Sequence, residues 1–307
     1  MQNYLPTKLE MVLNISETTI FLLITGLGTV VNISVLVNHI CTFVGSRKKS
    51  IHLILMHLAF TNIITLFSKS MPTTFAAFGL RHFLGDVGCH IIVYLERMAR
   101  GLSICTSSLL TVVQAIIMSP RASWWGRLRL RSTWHVLLSL LFFWILNSLI
   151  SMNLLHSIRN RVTNTLQLSN NSLYCYFKKE SQKINSMFLL LMILRDAVFQ
   201  GAMGGASGYI VSLLHKHHQH VLYLQKAKLL YRTPPELRAA QSVLLLMLCF
   251  LSFYWTDCVV SLYLSFSLKN DSFTMHFQKF LTLGYAVLNP FILIHRDGHL
   301  AECWHAQ

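Results

Sequence analysis

Apolar residues along the chain fall into seven long runs, near 18–43, 52–78, 87–118, 133–155, 185–214, 240–267 and 276–295. Most exceed the ~20 residues that an α-helix needs to cross a bilayer. The pattern predicts an all-α membrane protein, a seven-transmembrane helix bundle forming one domain over 1–307, with a short tail at 296–307. The second run is the most interrupted, by His52, His57, Lys69 and Pro72. No internal repeat, Gly/Ser linker or low-complexity tract divides the chain.

The third run is patterned as well as apolar. Glu96, Arg100, Ser103, Ser107, Thr111 and Gln114 follow one another at steps of 4, 3, 4, 4 and 3, which places all six on one stripe of a helix. Cys89, seven residues before Glu96, tops the same stripe. Such a helix is too apolar for water, and its stripe is too polar for lipid. It is therefore expected at the centre of the bundle, with the stripe turned toward other helices.

Composition agrees: 53% of the 307 residues are hydrophobic and 12% are charged, about half the charged share of soluble domains. A net charge of +15 would suggest nucleic acid in a soluble chain, but no groove-reading or base-stacking motif accompanies it. The charge lies in short loops, where it meets membrane lipid or an acidic partner. Arg47, Lys48 and Lys49 follow run one; Arg121, Arg127, Arg129 and Arg131 follow run three; five more basic residues lie between runs five and six. That side is the more basic, so the expected orientation in the plasma membrane has the N-terminus outside and the C-terminus cytoplasmic. The glycosylation sequons at Asn14, Asn170 and Asn270 all fall on the predicted outer side, whereas the sequon at Asn32 is inside run one. With no basic segment leading straight into an apolar core, no cleaved signal peptide is expected; the first run serves as insertion signal.

The same topology sets Cys89 and Cys175 in an oxidising compartment, where a bridge between them is expected and two unpaired thiols are the alternative. Cys303 in the tail is a palmitoylation candidate, with an ordinary free thiol favoured. Charges inside the bundle are costly and default to function, which makes Glu96, Arg100, Arg195, Asp196 and Asp257 the candidate ligand pocket. The competing reading has them neutralise one another, Glu96 and Arg100 as a helical pair four apart and the rest across the cavity. Gly201, Gly204, Gly205 and Gly208 form small-xxx-small patterns, expected to pack closely against a neighbouring helix, with dimerisation open. His215, His217, His218 and His220 lack a second cluster, so no metal site is expected there, and no cofactor is implied. Pro290 after Asn289 is expected to bend run seven. No nucleophile elbow, metalloprotease motif or paired-carboxylate signature points to an enzyme.

Seven spans, the expected bridge and the late Asn-Pro resemble G-protein-coupled receptors. The strings around His57–Asn62, Ala99–Thr106, Leu194–Phe199, Gly205–Tyr209, His217–Gln219, Pro235–Ala239 and Asn289–Asp297 are similar to those of the vomeronasal type-1 pheromone receptors. Departures from common rhodopsin-like receptors fit that branch: Val113-Gln-Ala115 replaces Asp-Arg-Tyr, Asn62 stands in place of Asp, Leu293 replaces Tyr, and run six lacks its proline. The resemblance implies a small-molecule, pheromone-like ligand entering from outside and a heterotrimeric G protein of the Gi/Go class. Arg121, Arg127 and Arg129 are candidates for the G-protein-facing surface, against a bland role in setting topology. The alternatives are a bitter-taste-type chemoreceptor, disfavoured by Cys89 with Cys175, and a secondary transporter, disfavoured by the lack of inverted repeats. A retinal photoreceptor is disfavoured because run seven has Lys279 only near its outer end.

Overall fold

The computed structural model describes residues 4–45, 49–77, 85–120, 133–159, 176–177, 182–224, 272–297 and most positions between 244 and 259. The helices are α1 (Tyr4–Gly45), α2 (Lys49–Ala77), α3 (Gly85–Met118), α4 (Thr133–Ser157) and α5 (Gln182–Leu224). Helical positions between 244 and 259 make up α6, and Ser272–Asp297 forms α7. Among the described residues five of these contain stretches long and apolar enough to cross a membrane: Ile15–Phe43, Ser50–Phe75, Ile91–Met118, Thr133–Met152 and Leu190–Lys216. A shorter apolar stretch, Leu283–Ile292, lies in α7.

Lipid-facing helices must satisfy their own polar groups. Thr19, Thr29, Thr65, Thr74 and Ser139 do so by donating their hydroxyls to the carbonyl four residues back, at 2.7–2.9 Å. Large apolar side chains such as Leu23, Val30, Leu141 and Leu190 point outward and are more than half exposed, as lipid-facing residues are.

As its polar stripe predicts, α3 is the central helix: 78% of its apolar stretch is buried, against 22–39% for the other four. It packs against α2, α4 and α5, while α7 lies on α1 and α2. Ser103, Ser107, Thr111 and Gln114 are all buried, so the stripe faces protein and not lipid. The main core joins Leu55 and Leu58 of α2, Leu102 and Leu110 of α3, Phe143 of α4, Met203 of α5 and Tyr285 of α7. A smaller one joins Phe21 of α1 with Leu66, Leu283 and Ala286.

Polar links at set depths fix how the helices rotate about their axes. Asn32 of α1 donates to the carbonyls of Gly28 and Ala286 at 2.8 and 2.9 Å, and its Oδ1 accepts from Asn62 of α2 at 3.2 Å. A sequon by sequence, Asn32 is thus a buried tie between three helices. His57 ties α2 to two further helices, α3 and α4: its Nε2 accepts from Trp144 Nε1 and its Nδ1 meets Thr106 Oγ1, both at 2.9 Å. Because an indole nitrogen only donates, Nε2 is bare and the proton sits on Nδ1.

One expectation is corrected. Among the described residues the glycines of α5 have no close packing partner: a Cβ added at Gly201, Gly204, Gly205 or Gly208 would meet no described atom within 4 Å. Met203, Ala206 and Ser207 carry the inward contacts instead, and the four glycines lie on the exposed side. The spacing marks a smooth stripe but does not say which way it faces. Pro290 lies inside α7, which runs on as helix to Asp297. Neighbouring Asn289 is fully buried, and neither of its amide atoms has a partner among the described residues.

After α4, β1 (Ile158–Arg159) pairs antiparallel with β2 (Tyr176–Phe177), Ile158 opposite Phe177, and β1 lies against α3.

Candidate ligand-binding site

A partly open cavity of about 80 Å³ lies between α2, α3, α6 and α7. It is lined by Asn62, Thr65 and Lys69 of α2, Glu96, Arg100 and Ser103 of α3, Phe253 and Tyr254 of α6, and Leu281, Tyr285 and Ala286 of α7. The α2 and α3 residues recur at steps of three or four, so each helix presents one stripe to the same space.

The charges pair across helices. Glu96 makes its ion pair with Lys69 of α2, not with Arg100 one turn along its own helix. Both side chains are about one-quarter to one-third exposed, so the pair stays accessible from the cavity. The Arg100 guanidinium lies over the Tyr254 ring, Cζ 5.0 Å from its centroid, a cation–π contact with α6. Deeper, the Tyr285 hydroxyl and Ser107 Oγ are 2.9 Å apart, which fixes the α7 wall against α3.

Arg195 and Asp196 are not part of this lining. They form a separate buried cluster, with Arg195 Nε donating to Asp196 Oδ1 at 2.8 Å and Arg195 Nη1 donating to Asn147 Oδ1 of α4 at 2.8 Å. Tyr254 Oη donates to the other carboxylate oxygen, Asp196 Oδ2, at 2.5 Å. The guanidinium reaches α4 by crossing α3 at Gly101. A Cβ there would run into both Asn147 Oδ1 and Arg195 Nη1 and lie 2.9 Å from Arg195 Cζ. Gly101 is therefore the gap through which the ion cluster is assembled. Tyr254 belongs to both places: its ring walls the cavity, and its hydroxyl holds the buried carboxylate.

Of the residues expected in the pocket, Glu96 and Arg100 line the cavity, while Arg195 and Asp196 stand behind it. Asp257, Cys175, Asn170, Asn270, Arg121, Arg127 and Arg129 lie outside the described residues, as do the side chains of Cys89 and Asn14. Sequence reasoning missed Lys69, Tyr254 and Tyr285. Lys69 carried a readable signal, a lone cation within an apolar run, whereas two tyrosines in apolar runs carry none.

Comparison with known proteins decides the family. A model of the vomeronasal organ pheromone receptor family matches residues 15–306. The chain belongs to the vomeronasal type-1 receptor family. It is 32% identical to human vomeronasal type-1 receptor 4 over 277 residues, 89% of this chain and 91% of that one. It is 33% identical to mouse vomeronasal type-1 receptor 51 over 282 residues, 91% and 87% of the two chains. The crystal structure of squid rhodopsin superposes with a TM-score of 0.72 over 95% of this chain and 84% of that one, at 16% identity. That likeness shows the fold of a G-protein-coupled receptor. A vomeronasal type-1 receptor with this fold is a multi-pass membrane protein and a chemosensory receptor, which weighs against the transporter alternative. In this vomeronasal receptor the cavity beside α3 is the candidate ligand site.

Proposed function

We propose that the protein binds pheromone-like small molecules at the α2–α3–α6–α7 cavity and signals their presence to a heterotrimeric G protein of the Gi/Go class. The observation that carries this reading is the convergence of Lys69, Glu96, Arg100 and Tyr254, from three helices, on one partly open cavity. A ligand acts by binding one helix arrangement more tightly than another. Here it competes for Lys69, Glu96 and the Tyr254 ring, and Tyr254 passes any shift of α6 on to Asp196 and thence to Arg195 and Asn147.

The N-terminus is extracellular in this reading, with glycans at Asn14, Asn170 and Asn270 and a bridge from Cys89 to Cys175. Tyr176, next in sequence to Cys175, pairs with Arg159 of β1, and β1 packs on α3, the helix that carries Cys89; this supports the bridge. Arg121, Arg127 and Arg129 follow the opposite end of α3 and face the G protein.

The test expresses the receptor with a Gi/Go-linked reporter and screens volatile and steroid-like extracts. A dose-dependent response that Arg100→Ala abolishes supports the site. A response left unchanged by Lys69→Ala, Glu96→Ala and Arg100→Ala alike refutes it.

A further inference from the structure

Near the C-terminal end of α1 and the N-terminal end of α2, two histidines meet, outside the residues that line the ligand cavity. His39 Nδ1 and His52 Nδ1 are 3.3 Å apart, with ring centroids 5.4 Å apart. His39 is buried at 2% exposure, whereas His52 is only partly buried. Thr42 Oγ1 lies 3.4 Å from His52 Nδ1 and donates its own proton to the Asn38 carbonyl at 2.9 Å. Its oxygen is therefore an acceptor, so the proton between these groups is on His52 Nδ1, and His39 Nδ1 faces it with its lone pair.

We infer that His39 and His52 form a binding site for a divalent transition-metal ion that joins α1 to α2. Spacing carries the inference. Two nitrogens bonded to one tetrahedral ion at ~2.0–2.1 Å lie about 3.3 Å apart, the separation already present here. Neutral imidazole suits Zn²⁺, Cu²⁺ and Ni²⁺ over harder ions. The two rings are held on packed helices, so little ordering is needed on binding. Among the described residues no group of three or more His, Cys, Asp or Glu gathers, so the site as described has two protein ligands, with water to complete the sphere. On binding, His52 gives up its Nδ1 proton and takes one at Nε2, which leaves the ring neutral and releases no net proton.

The experiment titrates the purified full chain in detergent with Cu²⁺ and reads the electron paramagnetic resonance spectrum. One bound ion with two equatorial nitrogens is expected, and His52→Gln is expected to weaken it at least about tenfold by removing one of two bonds. His52→Cys keeps two ligands, so Co²⁺ bound to that variant should show a thiolate charge-transfer band, which guards against mere misfolding of His52→Gln. The paired variant His215→Gln, His218→Gln should bind like the parent. The inference is overturned if the parent shows no two-nitrogen signal, if His52→Gln leaves it unchanged, or if the α5 histidine variant removes it.

Discussion

Replacing Gly101 by alanine adds one methyl group at the point where α3 lets the Arg195 side chain through. The new Cβ would collide with Asn147 Oδ1 and Arg195 Nη1 and lie 2.9 Å from Arg195 Cζ, far inside van der Waals contact. Neither partner has a cheap retreat. Asn147 is fully buried and also donates to the Phe143 carbonyl at 2.8 Å; the Arg195 side chain is 3% exposed and held by Asp196. The methyl therefore breaks the Arg195–Asn147 hydrogen bond, worth ~1.5–3 kcal/mol for a charged donor, and adds overpacking of ~1–3 kcal/mol. A loss of about 3–5 kcal/mol is expected, in the range for disrupting a buried ion cluster. The assay is surface expression in cells together with thermal unfolding of purified receptor. Because the clash is with Asn147, the double variant Gly101→Ala, Asn147→Ala should cost less than the sum of the two single variants. Strict additivity, or a Gly101→Ala receptor that expresses and unfolds like the parent, would falsify the assignment of Gly101 as the gap for Arg195.

Tyr254→Phe keeps the ring under Arg100 but removes the bond to Asp196, so unfolding measurements should show ~1.5–3 kcal/mol less stability and the reporter a changed basal signal. Lys69→Met should leave stability within ~1 kcal/mol, since the Glu96 pair is partly exposed, yet change ligand potency in the reporter assay. Asn32→Gln should leave the glycan pattern on a gel unchanged while lowering thermal stability, whereas Gln at Asn14, Asn170 or Asn270 should each remove one glycan. Cys89→Ser and Cys175→Ser should lower surface expression equally, and no further in combination, if the two are bridged.

How the charges pair could not be read from their spacing. Glu96 and Arg100 stand four apart, which suggests an intrahelical pair, but the helix faces presented by α2 and α6 offer Glu96 a lysine and Arg100 an aromatic ring. Arg195 and Asp196 are neighbours in sequence and on a helix point about 100° apart, yet the long arginine side chain curls back to the carboxylate while also reaching Asn147. The glycine stripe of α5 shows the same limit: spacing placed the glycines together, and only packing showed that they face outward.

The sequence by itself determined the seven apolar runs, the central place of α3 and the family, because each depends on local composition, period or a string of residues. Burial of Ser103, Ser107, Thr111 and Gln114 followed from a stripe that lipid could not accept. The tertiary structure alone decided which residues meet in the cavity, which way the smooth face of α5 turns, and that His39 and His52 come into contact. Those facts depend on how each helix is rotated and set in depth against its neighbours. That is fixed jointly by ties such as Asn32 to Ala286 and His57 to Trp144, between residues far apart in the chain.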